Sequence, residues 1–191
     1  ELDGLITGDP ASARAYRERG ACHAAMGDSA AARRDLDKAI ELAPRDPVMW
    51  NSRGVHRYAQ FGEHERALQD FDRAIKLNPN YSYAFNNRGW SKHKLGRTEQ
   101  GLKDIRLAQR KKGHNPYLYR NLGLIALETG DTAKACTELR RAREEGFTAQ
   151  FGNEVEDLIL QHCAPNAPAT VPAKVTDTPR PVREPIRSNA P

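Results

Sequence analysis

The sequence predicts an all-α solenoid, and two regularities of spacing predict it. Four glycines, Gly20, Gly54, Gly89 and Gly123, recur at intervals of 34, 35 and 34 residues. Each stands four positions after an aromatic side chain: Tyr16, Trp50, Phe85 and Tyr119. Self-similarity at a fixed period marks units that cannot bury an apolar face alone and do so by stacking. Such a stack presents long, open faces that hold other chains and seldom do chemistry.

Further columns keep the phase. Gly27, Gly62, Gly96 and Gly130 follow the first glycines, then Ala32, Ala67, Gly101 and Ala135, then Leu36, Phe71, Ile105 and Leu139, then Ala39, Ala74, Ala108 and Ala142. Pro10, Pro44 and Pro79 close their units. The extra residue of the second unit lies between Gly54 and Gly62, and deleting it restores a uniform period of 34.

Each unit reads as two short helices. Polar His56, Arg57 and Lys92 between apolar positions make the first helix amphipathic. Asp46-Pro47 and Asn115-Pro116 read as N-caps with proline at the first helical position, where a missing N–H costs nothing. Gly27-Asp28, Gly62-Glu63 and Gly130-Asp131 break the chain between helices. There glycine supplies the positive φ of a tight C-cap and the acid favours the next N-terminus. The Ala and Gly columns let paired helices approach, and the Leu36–Phe71 column fills the space beside them.

The runs "YRERGACH", "WNSRGVHR", "FNNRGWSK" and "YRNLGLIA" resemble the tetratricopeptide repeat, whose signature is an aromatic, Leu-Gly, Tyr, Ala, an aromatic or Leu, then Pro. The resemblance covers roughly residues 10 to 146. It departs at Arg19, Arg53 and Arg88, which stand where the family has Leu, with Leu122 the one match, and at Gly113, where the third unit should end in Pro. The expected organisation is an N-terminal cap or partial helix over 1–9, repeats over 10–45, 46–80, 81–114 and 115–146, a capping helix over 147–163, and a disordered, Pro-rich tail over 164–191. Phe151, Val155, Leu158 and Ile159 supply the apolar stripe of the capping helix. The tail holds almost no large apolar residues and cannot offset its ordering entropy.

The tail's four basic and two acidic residues contribute +2 of a formal net charge of +5. The remainder is too small for a nucleic-acid reading. Lys103, Arg106, Arg110, Lys111 and Lys112 form the densest basic stretch and read as a solvated convex face. No apolar run approaches the ~20 residues of a membrane span, so no direct membrane insertion is expected. No signal peptide is visible and the chain opens at Glu1. The compartment stays open between the cytoplasm and export, including the periplasm.

Cys22 reads as a small packing residue. Cys136 and Cys163 fall at similar heights in an antiparallel helix pair. A disulfide clasp fits that geometry, and so do two buried thiols, the simpler reading while the compartment is open. The resemblance bears on the same point: some bacterial tetratricopeptide-repeat proteins place one cysteine in the final second helix and another at the close of the cap.

No Gly-rich phosphate loop, His-Glu-x-x-His or paired-cysteine zinc spacing occurs, so no catalytic residue, metal or cofactor is expected. The resemblance implies instead a concave face lined by the first helices. On it the candidate partner-binding residues are Arg14, Arg17, Asn51, Tyr83, Asn86, Asn87, Trp90, Tyr117, Arg120 and Asn121. Asn pairs with any peptide backbone, Tyr and Trp add area at low entropic cost, and Arg grips carboxylates. Asn87 and Asn121 resemble the asparagine ladders of some members. The two-carboxylate clamp of heat-shock cochaperones, Lys, Asn, Asn, Lys and Arg, is absent in either frame. The expectation is a non-enzymatic scaffold or adaptor that takes a protein or peptide segment in the groove. The alternatives are a self-associating assembly subunit and a non-catalytic fragment of a larger protein.

Overall fold

The computed structural model describes residues 4, 6, 8–111, 115–148 and 152–163. Most of the 1–9 segment, Lys112, Gly113, Phe151 and the 164–191 tail lie outside these residues. The described chain is all helix and loop. It forms four antiparallel pairs: α1 (Ala13–Ala25) with α2 (Ser29–Leu42), α3 (Pro47–Arg53) with α4 (His64–Leu77), α5 (Ser82–Lys94) with α6 (Thr98–Gln109), and α7 (Tyr117–Glu128) with α8 (Thr132–Glu144). Helix α9 (Glu154–His162) closes the stack against α8. It buries Val155 and Ile159 and half-buries Leu158.

Four helices start where a side chain satisfies an orphan N–H group. Ser12, Asp28, Asp46 and Asp131 accept from Ala15, Ala31, Val48 and Lys134 N–H at 3.3, 2.9, 2.8 and 3.0 Å. Asn115 behaves otherwise than expected. Its side chain does not cap α7; its Nδ2 donates to Ser82 Oγ at 3.1 Å, and that hydroxyl donates to the Ala108 carbonyl, also at 3.1 Å. The amide thus pins the start of the fourth repeat to the third instead of capping its own helix.

Within pairs, Leu36, Phe71, Ile105 and Leu139 are fully buried. Opposite them the glycine column sets the interhelical distance. A Cβ on Gly89 would lie 2.6 Å from the Gly101 carbonyl oxygen. The turn glycine Gly62 has φ of 77°, a left-handed conformation that costs an L-residue but not glycine.

The extra residue of the second repeat is absorbed without a loop. After Arg53 the helix widens to a π-turn over Gly54–Tyr58 and tightens to a 3-10 turn over Ala59–Phe61. A single inserted residue shifts the ladder from i→i−4 to i→i−5, the defining feature of a π-bulge.

The Arg column replaces the family's Leu with an ion-pair ladder. Arg19, Arg53 and Arg88 each grip, through Nε and Nη2, both carboxylate oxygens of Asp35, Asp70 and Asp104 on the paired second helix, at 2.7–2.8 Å. Arg53 and Arg88 then reach back through Nη1 to Asp37 and Asp72 of the preceding repeat, at 3.0 and 2.7 Å. Each guanidinium also lies over the aromatic of its own unit, 5.6 Å from Tyr16, 5.0 Å from Trp50 and 5.4 Å from Phe85. Burial by itself lowers the Arg53 pKa, but bonding to Asp70, the Asp70 charge and bonding to Asp37 raise it above its ordinary value. The guanidinium stays ionised. In the fourth repeat Leu122 stands in the Arg position and Arg106 replaces the preceding Asp, so the ladder ends there.

Candidate interaction groove

The residues expected on the concave face divide into three groups. Arg14 and Arg17, on α1, both address Glu18, at 2.7 and 3.3 Å. Arg14 is exposed and Arg17 half-buried. They lie on the first helix of the stack, which packs beside α3.

Asn51, Asn86 and Asn121 form the second group, and the structure corrects their role. They are 1%, 0% and 4% exposed, so their amides do not face a ligand. They join a hydrogen-bonded chain that crosses the repeats. Asn87 Nδ2 donates to Asn51 Oδ1 at 2.9 Å, Asn86 Nδ2 to Asn87 Oδ1 at 3.4 Å, and Asn121 Nδ2 to Asn86 Oδ1 at 3.2 Å. Arg120 Nη1 donates to Asn121 Oδ1 at 2.9 Å, and its Nη2 donates to Glu154 on α9. The chain therefore links repeats two, three and four and the closing helix. The cause is packing. First helices of adjacent repeats lie side by side, which carries these short side chains to each other before they reach the groove, and buried amides need partners.

The third group is partly open to solvent. Tyr83, Asn87, Trp90, Tyr117 and Arg120 are half-buried. Their orientations are set by neighbours. Tyr83 and Tyr117 meet edge to face with centroids 6.4 Å apart, and Tyr117 packs on Phe147 at 5.3 Å. Trp90 carries Lys94 Nζ at 5.4 Å and the Arg120 guanidinium at 5.7 Å from its ring centroid. Asn87 uses one amide N–H on Asn51 and keeps a second donor on the same nitrogen.

Beside Trp90, His93 lies 3.0 Å from Thr98 Oγ1 through Nδ1 and 2.9 Å from Glu128 Oε2 through Nε2. The His93 bond and the charge of Lys94 hold the Glu128 carboxyl below its usual range. His56, inside the π-turn, is buried and 3.4 Å from Gln60 Oε1. Gln60 in turn donates to the Ala24 carbonyl of the first repeat at 2.7 Å. Desolvation pushes the His56 pKa down to about 4, with the Gln60 bond opposing and Arg17 adding to the effect. The imidazole is neutral near pH 7.

Cys136 and Cys163 are joined by a disulfide, with a sulfur–sulfur distance of 2.11 Å, and Cys22 is exposed. Among the described residues no group of three or more His, Cys, Asp or Glu side chains is placed to hold a metal. None of the described helices is long and apolar enough to cross a membrane. Glu154 and the Asp partners of the Arg ladder escaped the sequence reading. The one signal for the ladder was the repeated spacing of 16, 17 and 16 residues from Arg to Asp.

Stacked helix pairs, small-residue contacts within them and an open groove lined by first helices define a helical-repeat interaction scaffold. Residues 23–82 and 71–103 match two profiles of the tetratricopeptide repeat. The chain is a tetratricopeptide-repeat protein. Its fold is similar to that of TTC0263, a thermophilic member from Thermus thermophilus, with TM-score 0.70 and 18% identity over 85% of both chains. It is similar to a tetratricopeptide-repeat protein from Parabacteroides merdae, with TM-score 0.70 and 18% identity over 83% of this chain and 62% of that one. A chain of the APC/C hetero-tetramer Cut9–Hcn1 superposes with TM-score 0.71 and 19% identity; the alignment covers 84% of this chain but 31% of that one. At these identities the likeness is one of fold. No curated protein sequence matches the chain. The repeat family is in general non-catalytic and binds protein partners.

Proposed function

We propose that this chain is an adaptor that holds an extended segment of a partner protein in the groove of its third and fourth repeats. The observation behind this reading is the fixed, half-buried set Tyr83, Asn87, Trp90, Tyr117 and Arg120. Its aromatic members supply area with little rotamer freedom left to lose. The second N–H of Asn87 suits a backbone carbonyl of the bound segment, whatever its sequence. The buried amide chain contributes by preorganisation, since ordering these side chains on binding would subtract from affinity. The contact assignment excludes Asn51, Asn86 and Asn121, which serve the scaffold.

Affinity capture from the source organism's extract tests this reading. The baits are the full chain, its Tyr83→Ala/Asn87→Ala form and a convex-face control, Lys103→Ala. A partner retained by the first and third and lost by the second supports the groove. Identical partner sets for all three, with melting temperatures unchanged, contradict it.

A further inference from the structure

Helix α8 and the closing helix α9 are joined by the Cys136–Cys163 disulfide, 27 residues apart in sequence. Helix α9 has nine residues, below the ~12–15 at which an isolated helix becomes even marginal in water. Its anchor is small: Val155 and Ile159 are buried, while Leu160 is 67% exposed. Beside the half-buried pair that Glu154 makes with Arg120, two of its polar contacts, Arg140 Nη2 to the Cys163 carbonyl at 3.2 Å and Arg143 to Glu156 at 3.4 Å, are exposed. Water competes with such contacts, so they add little. The covalent bond therefore accounts for much of what keeps α9 docked.

The other end of α9 reaches the groove. Glu154, its first residue, accepts from Arg120 Nη2, and Arg120 Nη1 donates to Asn121 at 2.9 Å. The Arg120 guanidinium lies 5.7 Å from the Trp90 centroid. Helix α9 is thus held by a disulfide at one end, and at the other its carboxylate positions the last cation of the groove.

Resting on the groove reading above, we propose that the Cys136–Cys163 disulfide is a redox latch on that groove. Reduction frees α9, withdraws Glu154 from Arg120 and lets Arg120 move off Trp90. The reductant is a dithiol. One of its thiolates attacks Cys163 Sγ, the half-buried sulfur, because Cys136 is 7% exposed. Cys136 Sγ leaves as a thiolate and takes up a proton. The second thiol of the reductant then displaces Cys163 Sγ, and the reductant departs as its own disulfide. Two electrons and two protons pass to the protein.

The test needs no partner, so its failure is distinct from failure of the groove reading. The full chain in a Trp50→Phe background leaves Trp90 as the sole indole, since the chain has two tryptophans. Acrylamide quenching of Trp90 and amide exchange over residues 155–162 are measured with and without dithiothreitol. On reduction, exchange over 155–162 is expected to rise about tenfold or more, as in local unfolding, and quenching of Trp90 to increase. Glu154→Ala, with the disulfide intact, gives the increased quenching without reductant. Cys136→Ser/Cys163→Ser gives the reduced behaviour and no response to dithiothreitol. Unchanged exchange overturns the latch. So does faster exchange with unchanged Trp90 quenching, which would make the disulfide a staple with no line to the groove.

Discussion

Asn121 Nδ2 donates to Asn86 Oδ1 at 3.2 Å, one repeat upstream, with both side chains buried. This bond is a contact between repeats. In a solenoid, stability resides in repeat interfaces as much as in the repeats themselves, and here polar side chains supply part of the interface. Because Asn86 sits between Asn87 and Asn121, its removal strands donors and acceptors on both sides.

Asn86→Ala is accordingly expected to cost about 1–3 kcal/mol, the penalty of leaving a buried amide group unsatisfied. Urea denaturation monitored by circular dichroism reads this directly. A loss below a few tenths of a kcal/mol would mean the chain of amides is decorative.

The Arg ladder makes a graded prediction. Asp70 is 3% exposed, and both its carboxylate oxygens accept from Arg53. Arg53→Ala leaves that carboxylate buried without its bidentate partner, at about 3–5 kcal/mol. Asp104 keeps Lys92 Nζ at 2.7 Å when Arg88 is removed. Arg88→Ala should therefore destabilise less than Arg53→Ala in the same denaturation assay. The reverse order would contradict the assigned pairings.

His56 predicts acid sensitivity. Its folded pKa is lowered to about 4 from an ordinary value of 6.5. Between these values the unfolded chain binds a proton that the folded chain does not, so stability falls as pH drops from 6.5 toward 4. The full effect is roughly 3 kcal/mol at about 1.4 kcal/mol per pH unit. His56→Gln should flatten this part of the stability–pH curve. A curve of unchanged slope in the variant would assign the acid sensitivity to other groups.

The glycine column predicts an order of its own. A Cβ on Gly89 meets the Gly101 carbonyl oxygen at 2.6 Å, a backbone atom, whereas one on Gly123 meets Leu139 Cγ at 2.7 Å, part of a side chain that can shift. Gly89→Ala is expected to lower the melting temperature more than Gly123→Ala, within the ~1–3 kcal/mol typical of overpacking. Equal losses would mean that helix approach is limited elsewhere.

The periodic columns made the helix pairs legible, because spacing alone decides which residues share a buried face. The extra residue of the second repeat was legible too, down to its interval: the π-turn begins at Gly54. Its effect even shows in the Arg-to-Asp spacing, which lengthens to 17 in that repeat. The ladder itself was hidden, since a charged column reads as a solvated face until the paired helix is in place. The asparagines were misread for a related reason. Sequence gives the helical face of Asn86, but its 0% exposure depends on how closely the next first helix lies. Glu154 went unseen because the closing helix was read for its apolar stripe alone.

Whether a partner segment lies in the groove of the third and fourth repeats is tested most directly by site-specific photo-crosslinking. A benzophenone amino acid is placed once at Tyr83 and once at Lys103, on the outer face of α6. The captured partner is expected to crosslink from position 83 and not from position 103. Crosslinking from position 103 alone would place the interaction on the convex face and contradict the groove.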